Sequence, residues 1–124
     1  MSLGTAHPLR LAEPNTQECA AVFTGAGAAD CVKVDGDGIA SIAYSAATGE
    51  FLLTFTDVGV SIIWMDIQCH TADGSAPTFG KTVGTVSLSA KTIPIEFWDL
   101  AVPAKKDPAS GDRVQVRVLW KKTS

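Results

Sequence analysis

Along residues 113–121, RVQVRVLWK, Val114, Val116, Val118 and Trp120 alternate with Gln115, Arg117, Leu119 and Lys121. A period of two marks a strand with one buried and one wetted face. The same alternation runs through EFLLTFTD (50–57), where Phe51, Leu53 and Phe55 oppose Leu52, Thr54 and Thr56. IASIAYS (39–45) precedes it across AATG, a connection of hairpin length in which Gly49 is free to take positive φ. VSIIWMDIQCH (60–70), rich in β-branched and aromatic residues, predicts a strand buried on both faces for part of its length. KTVGTVSLS (81–89) and TIPIEFWDL (92–100) read as further strands after a loop at ADGSAPTFG (72–80). CVKV (31–34) predicts a short strand running into a glycine-rich turn, DGDG, and AAVFTG (20–25) a short strand or the end of an arm. Pro94 cannot donate to a ladder, which predicts an edge strand or a bulge there.

No segment sustains a helical period. The best candidate, TQECAAVFTG, passes into β-branched and aromatic residues before a third turn. Six or seven strands with a turn signal every ten residues or so predict an all-β fold, an antiparallel sandwich or a Greek-key, jelly-roll-like barrel. Residues 19–124 read as a single β domain. Residues 1–18, with Pro8, Pro14 and a short Leu9-Arg10-Leu11 run, read as an extended N-terminal arm.

Composition narrows the function classes. With 46% hydrophobic and 19% charged residues among 124, the chain has the apolar content for a core and lacks the signature of disorder. A net charge of −3 speaks against tracking a phosphate backbone, which needs clustered cations; Lys105, Lys106, Arg113, Arg117, Lys121 and Lys122 are interleaved with acids. No apolar run approaches the roughly 18–20 residues of a membrane span, and no cationic start leads into an apolar stretch, so cytosolic synthesis is expected. Cys19, Cys31 and Cys69, an odd count without a CxxC pair, read as free and mostly buried thiols.

Catalysis needs converging groups, and none is legible. His7 lies in the arm. His70 follows Cys69 on a strand, where neighbours face opposite ways and cannot share a metal or act as a dyad. VDGDGI (34–39) alternates Asp35 and Asp37 with glycine but lacks the later ligands of a calcium loop before Glu50, and reads as a turn. TGAGAAD (24–30) lacks the third glycine and the following helix of a phosphate cradle. Asp57, Asp66, Glu96 and Asp99 are scattered, and Asp66 is expected on a solvent-facing strand position. Catalytic residues, cofactor and metal are therefore expected to be none, and the chain is not read as an enzyme. Trp64, Trp98 and Trp120, with Phe97, are expected to fill the core or a subunit contact, the rival use being a carbohydrate platform.

In order, TGEFLLTFTD, VSIIWMDIQ, VSLSAKTIPIEFWD and DPASGDRVQVRVLWKKTS resemble the small head-decoration, or capsid-cement, proteins of tailed bacteriophages. The resemblance covers roughly residues 39–124 and leaves the arm unmatched. It implies a structural virion protein on the outer surface of the head, bridging subunits of the major capsid protein and self-associating, as a trimer in preference to a dimer. It implies no nucleic-acid or membrane partner. On that reading the arm, around Leu9, Arg10, Leu11 and Pro14, lies on the capsid protein or on a neighbouring copy, and Trp98 and Trp120 lie at or near a contact surface. A carbohydrate-binding or adhesin module and a tail or head-completion component are the alternatives.

Overall fold

The structure, a computed structural model, describes residues 15–70, 77 and 79–122. Among them the chain forms nine strands and no helix: β1 (Thr16–Thr24), β2 (Val32–Asp37), β3 (Ile39–Tyr44), β4 (Glu50–Phe55), β5 (Ser61–His70), β6 (Phe79–Thr82), β7 (Thr92–Asp99), β8 (Ala104–Lys105) and β9 (Arg113–Lys121). Two antiparallel sheets pack face to face. The first, here sheet 1, has the order β2-β1-β9-β5; the second, sheet 2, has the order β3-β4-β7-β6, with β8 paired to the end of β7. The all-β sandwich expected from the alternation is the observed architecture.

Alternation decides the core. Val114, Val116, Val118 and Trp120 of β9 are buried, as are Phe51, Leu53 and Phe55 of β4 opposite them. Ile93, Ile95 and Phe97 of β7 and Ile39 and Ile42 of β3 complete the inner face of sheet 2. An edge-to-face ring pair joins the layers, Phe55 and Trp120 with centroids 4.9 Å apart, while Phe51 and Phe97, 5.3 Å apart, pair in the same way within sheet 2. The β3–β4 hairpin closes across residues 46–49 with Gly49 at φ 75°, as its sequence predicts.

Five expectations change. TQECAAVFT is a nine-residue interior strand, and its start at Thr16 takes the last residues assigned to the arm. The DGDG segment is not a turn: Asp35, Gly36 and Asp37 continue β2, and the chain bends into β3 at Gly38 alone, so the two strands form a corner between the sheets. A Cβ at Gly36 would lie 2.3 Å from the Ala20 carbonyl oxygen, and one at Gly38 2.3 Å from the Cys19 sulfur. Only glycine permits that approach, and both residues have positive φ.

β7 is an interior strand, not an edge. Pro94 is tolerated because its imide nitrogen faces the side where β6 has just ended, and its carbonyl accepts the amide of Val83. β6 itself starts earlier than expected and is short. Beyond it, residues 83–91 form a connection held by one bridge, between Ser87 and Thr92. β5, expected to be buried on both faces, is instead the free edge of sheet 1.

Candidate interaction surface

Sheet 1 presents a mixed outer face. Register places Asp66, Arg117 and Ala20 side by side across β5, β9 and β1, with Asp37 next on β2. The Arg117 guanidinium donates to the Glu18 carboxylate at 2.8 Å and stands 5.7 Å from the Trp64 ring centroid, a cation–π distance. Asp66 is exposed, as expected, and accepts from Gln68. The small side chain of Ala20 leaves a hollow of about 320 Å³ rimmed by Val22, Asp35, Gln115 and Arg117.

Both free edges of this sheet carry a bulge. Val34 is the extra residue in β2, between the pairs Val22–Asp35 and Phe23–Lys33; Ile63 is the extra residue in β5, between Ile62–Trp120 and Trp64–Leu119. A bulge turns its extra residue out of the ladder. Val34 is accordingly 61% exposed and Ile63 50%, with Trp64 beside it at 40%. Val32 and Val60 extend the two apolar strips.

The outer face of sheet 2 binds its charges to one another. Glu50 and Glu96 stand directly opposite across β4 and β7, an arrangement that repels unless a cation intervenes. Lys105 of β8 supplies it, 2.7 Å from Glu50 and 3.2 Å from Glu96, with Lys81 3.9 Å from Glu96 on the other side. The Trp98 indole N–H donates to Glu96 at 3.0 Å, and both lysines sit about 6 Å from its ring. The indole hydrogen bond, followed by Lys105, holds the Glu96 carboxyl below its ordinary range; hydrogen bonds to Glu50 and then Glu96 raise Lys105. These donors tie both carboxylates into a cluster that holds β4, β7 and β8 together.

The remaining candidates fall apart in space. Cys69 faces the core beside Val114 while exposed His70 lies opposite Arg113, so the two do point to opposite faces. Burial pushes the Cys31 and Cys69 thiols up to about 12, with acids nearby adding to it, and raises Cys19 as well. A thiol so held stays protonated at neutral pH and is no nucleophile. Among the described residues, no three His, Cys, Asp or Glu side chains gather to hold a metal ion. Among the same residues, no helix is long and apolar enough to cross a membrane.

Trp120 is a correction. At 1% exposure it lies wholly in the core against Phe55, leaving no ring surface for a partner. Trp98 is half-buried on sheet 2 and Trp64 exposed on sheet 1, so no two tryptophans share an outer face as a sugar platform requires. Leu9, Arg10, Leu11 and Pro14, like His7, lie outside the described residues. The exposed Val34 and Ile63 escaped notice because a bulge cannot be read from alternation. The Glu50–Lys105–Glu96 cluster escaped because its members are far apart in the chain and β8 has only two residues.

Comparison of the chain with protein families, with curated proteins and with solved structures returned no match.

Proposed function

We propose that this chain is a non-catalytic structural module that ties neighbouring subunits of a protein shell together, in the manner of the head-decoration proteins of tailed phages. One observation carries the reading. Sheet 1 bears outward-turned apolar residues at both of its free edges, Val34 at one and Ile63 with Trp64 at the other. A bridge needs two grips on a stiff body, and these lie three strand spacings apart across the sheet and about five residues apart along it, roughly 22 Å in all. Many copies on one lattice turn weak single contacts into firm retention. The partner is the major capsid protein on the outer surface of the head, with self-association of the module around a symmetry axis.

The test is co-sedimentation with expanded, undecorated shells, followed by heating of the shells. Wild-type protein is expected to bind saturably at many copies per shell and to raise the shell's melting temperature. Burying one valine is worth about 1.5 kcal/mol, so Val34→Asp should weaken retention about tenfold or more. Ile63→Asp should do the same at the other edge. Either variant bound to saturation should protect the shell less than wild type, because one grip is lost. Full protection by both variants would overturn the two-edge mechanism, and failure of wild type to bind would overturn the shell reading itself.

A further inference from the structure

β7 joins two apolar features, one hollow and one projecting. At its start, Ile93 forms part of a groove of about 460 Å³ in the seam between β5 and the β6–β7 connection, lined also by Val60, Ile62, Met65, Val86 and Leu88. Val60 and Leu88 are 41% and 42% exposed at its rim. The polar side chains of its lining are hydroxyls, from Ser61, Thr82 and Thr85, and no charged side chain takes part. At the other end of β7 lies the turn into β8, Leu100-Ala101-Val102-Pro103, without a polar side chain. Leu100 is 59% exposed, and Val102, at 66%, is the most exposed large hydrophobic residue among those described.

The turn is held stiffly in that posture. The Ala101 amide donates to the Asp99 carboxylate at 3.0 Å, and the Lys106 ammonium stands 3.8 Å from the same group. Trp98 with Lys105 and Asp99 with Ala104 pair in register below it, and Pro103 fixes one more backbone angle. A pre-ordered apolar tip loses little freedom on entering a pocket. It cannot enter its own. From Ile93 to Leu100 the extended chain covers seven residues, about 23 Å, and the β7–β8 pairing keeps the turn beyond the far end of the strand. A second copy presents the same groove with no such restriction, and an uncharged turn in an uncharged groove strands no charge away from water.

We infer that the β7–β8 turn of one copy seats in the groove of the next, with Leu100 and Val102 entering between Val60 and Leu88. This rests on the self-association within the proposed function and gives it a contact. Each copy donates one turn and receives one, a heterologous contact that closes into a ring about a symmetry axis. Neither Val34, Ile63 nor Trp64 lines the groove, so both grips on the shell stay uncovered. A four-residue turn buries far less than the roughly 800 Å² per partner of a standard interface. Single contacts are therefore transient in solution, and ring closure or a lattice retains them.

Two measurements on the free full-length protein test this without any shell. In the first, Val102→Cys and Leu88→Cys are made as separate proteins with tags of different length, mixed and oxidised, with wild-type mixtures as the blank. A mixed dimer on a non-reducing gel is expected, several-fold above the yield when Leu52→Cys, of similar exposure on sheet 2, replaces Leu88→Cys. No mixed dimer, or equal yields with both partners, would overturn the contact. The second follows the ε-methyl resonance of Met65, the one methionine besides Met1, through a dilution series. It is expected to move with concentration in wild type, and in Val102→Asp only at concentrations about tenfold higher. A methyl that ignores dilution would overturn the proposal, as would the same response in both proteins. Failure here with shell binding intact removes the turn-in-groove contact alone, and loss of shell binding with both results intact removes the shell reading alone.

Discussion

Trp120 separates a core role from a contact role in one experiment. Its ring is 1% exposed, lies 4.9 Å from Phe55 at an interplanar angle of 78°, and belongs to the same cluster as Val116 and Val118. Truncating such a residue removes transfer energy and leaves a cavity, so Trp120→Ala should cost about 3–5 kcal/mol. That is a fifth or more of the roughly 5–15 kcal/mol by which domains are stable. At about 4 °C per kcal/mol for a chain of this length, the melting temperature should fall by roughly 12–20 °C. Trp120→Phe should behave differently. It keeps the contact with Phe55 and loses about 1.5–2.5 kcal/mol of apolar burial, at ~0.8 kcal/mol per methylene equivalent. It also deletes an indole N–H that is buried with no acceptor among the described residues, a burden of about 1–3 kcal/mol. The two nearly cancel, leaving Trp120→Phe within about 1 kcal/mol of wild type. Urea unfolding followed by far-ultraviolet circular dichroism reads both variants, with an unchanged m-value as the control for two-state behaviour. Near-wild-type stability of Trp120→Ala would refute the core assignment. Equal losses in both variants would refute the argument from the unpaired donor.

Two further predictions concern ionisable groups. Lys105→Ala leaves Glu50 and Glu96 facing each other, so it should lower the melting temperature at pH 7. Because the fold holds Glu96 below its ordinary range, that contribution is present above the range and is lost as pH falls through the folded value; melts of variant and wild type should converge in acid, and a constant gap would count against it. Cys31 and Cys69, raised to about 12 from 9.0, should resist alkylation at pH 8 until urea is added. The folded state keeps their protons where the unfolded chain has released them, so stability should fall as pH rises from about 9 toward 12, by up to about 1.4 kcal/mol per unit for each thiol. Wild type and Cys31→Ala/Cys69→Ala with the same alkaline slope would contradict this.

The strands most legible in the sequence are those whose inner positions are large and unbroken in phase. β9 and β4 place valine, leucine, phenylalanine or tryptophan at every second position, and their buried faces match the alternation residue for residue. β1 alternates just as strictly, but its inner residues Cys19 and Ala21 are small and give little contrast before Phe23. β2 is hidden by glycine and aspartate, residues that signal turns unless a neighbouring strand crowds them, as β1 crowds Gly36. β5 misleads in the other direction. The extra residue Ile63 shifts its phase, so apolar residues fall on both sides of an edge strand and imitate a strand buried on two faces. The surface is less legible than the core because it depends on which strands become neighbours. Glu50, Lys81, Glu96 and Lys105 acquire a relation only once β4, β6, β7 and β8 are laid side by side.

In the proposed role the four sheet edges favour gripping by side chains rather than by backbone. An unpaired edge invites ladder formation with another chain, and short strands or bulges suppress it. β6 has four residues, while β2, β3 and β5 carry bulges at Val34, Ala40 and Ile63. Each edge is thus interrupted, and lateral strand addition has no long template on either sheet. The extra residues differ in what they offer: Ala40 on sheet 2 presents a methyl group, whereas Val34 and Ile63 on sheet 1 present branched apolar side chains at opposite edges. Sheet 2 meanwhile spends its outer charges on Glu50, Lys105, Glu96, Lys81 and Trp98, which are already bonded to one another. In the proposed bridging role, sheet 1 therefore lies against the shell and sheet 2 faces away. Substitutions on the outer face of sheet 2 should then alter stability without altering retention, while Val34 and Ile63 should alter retention without altering stability.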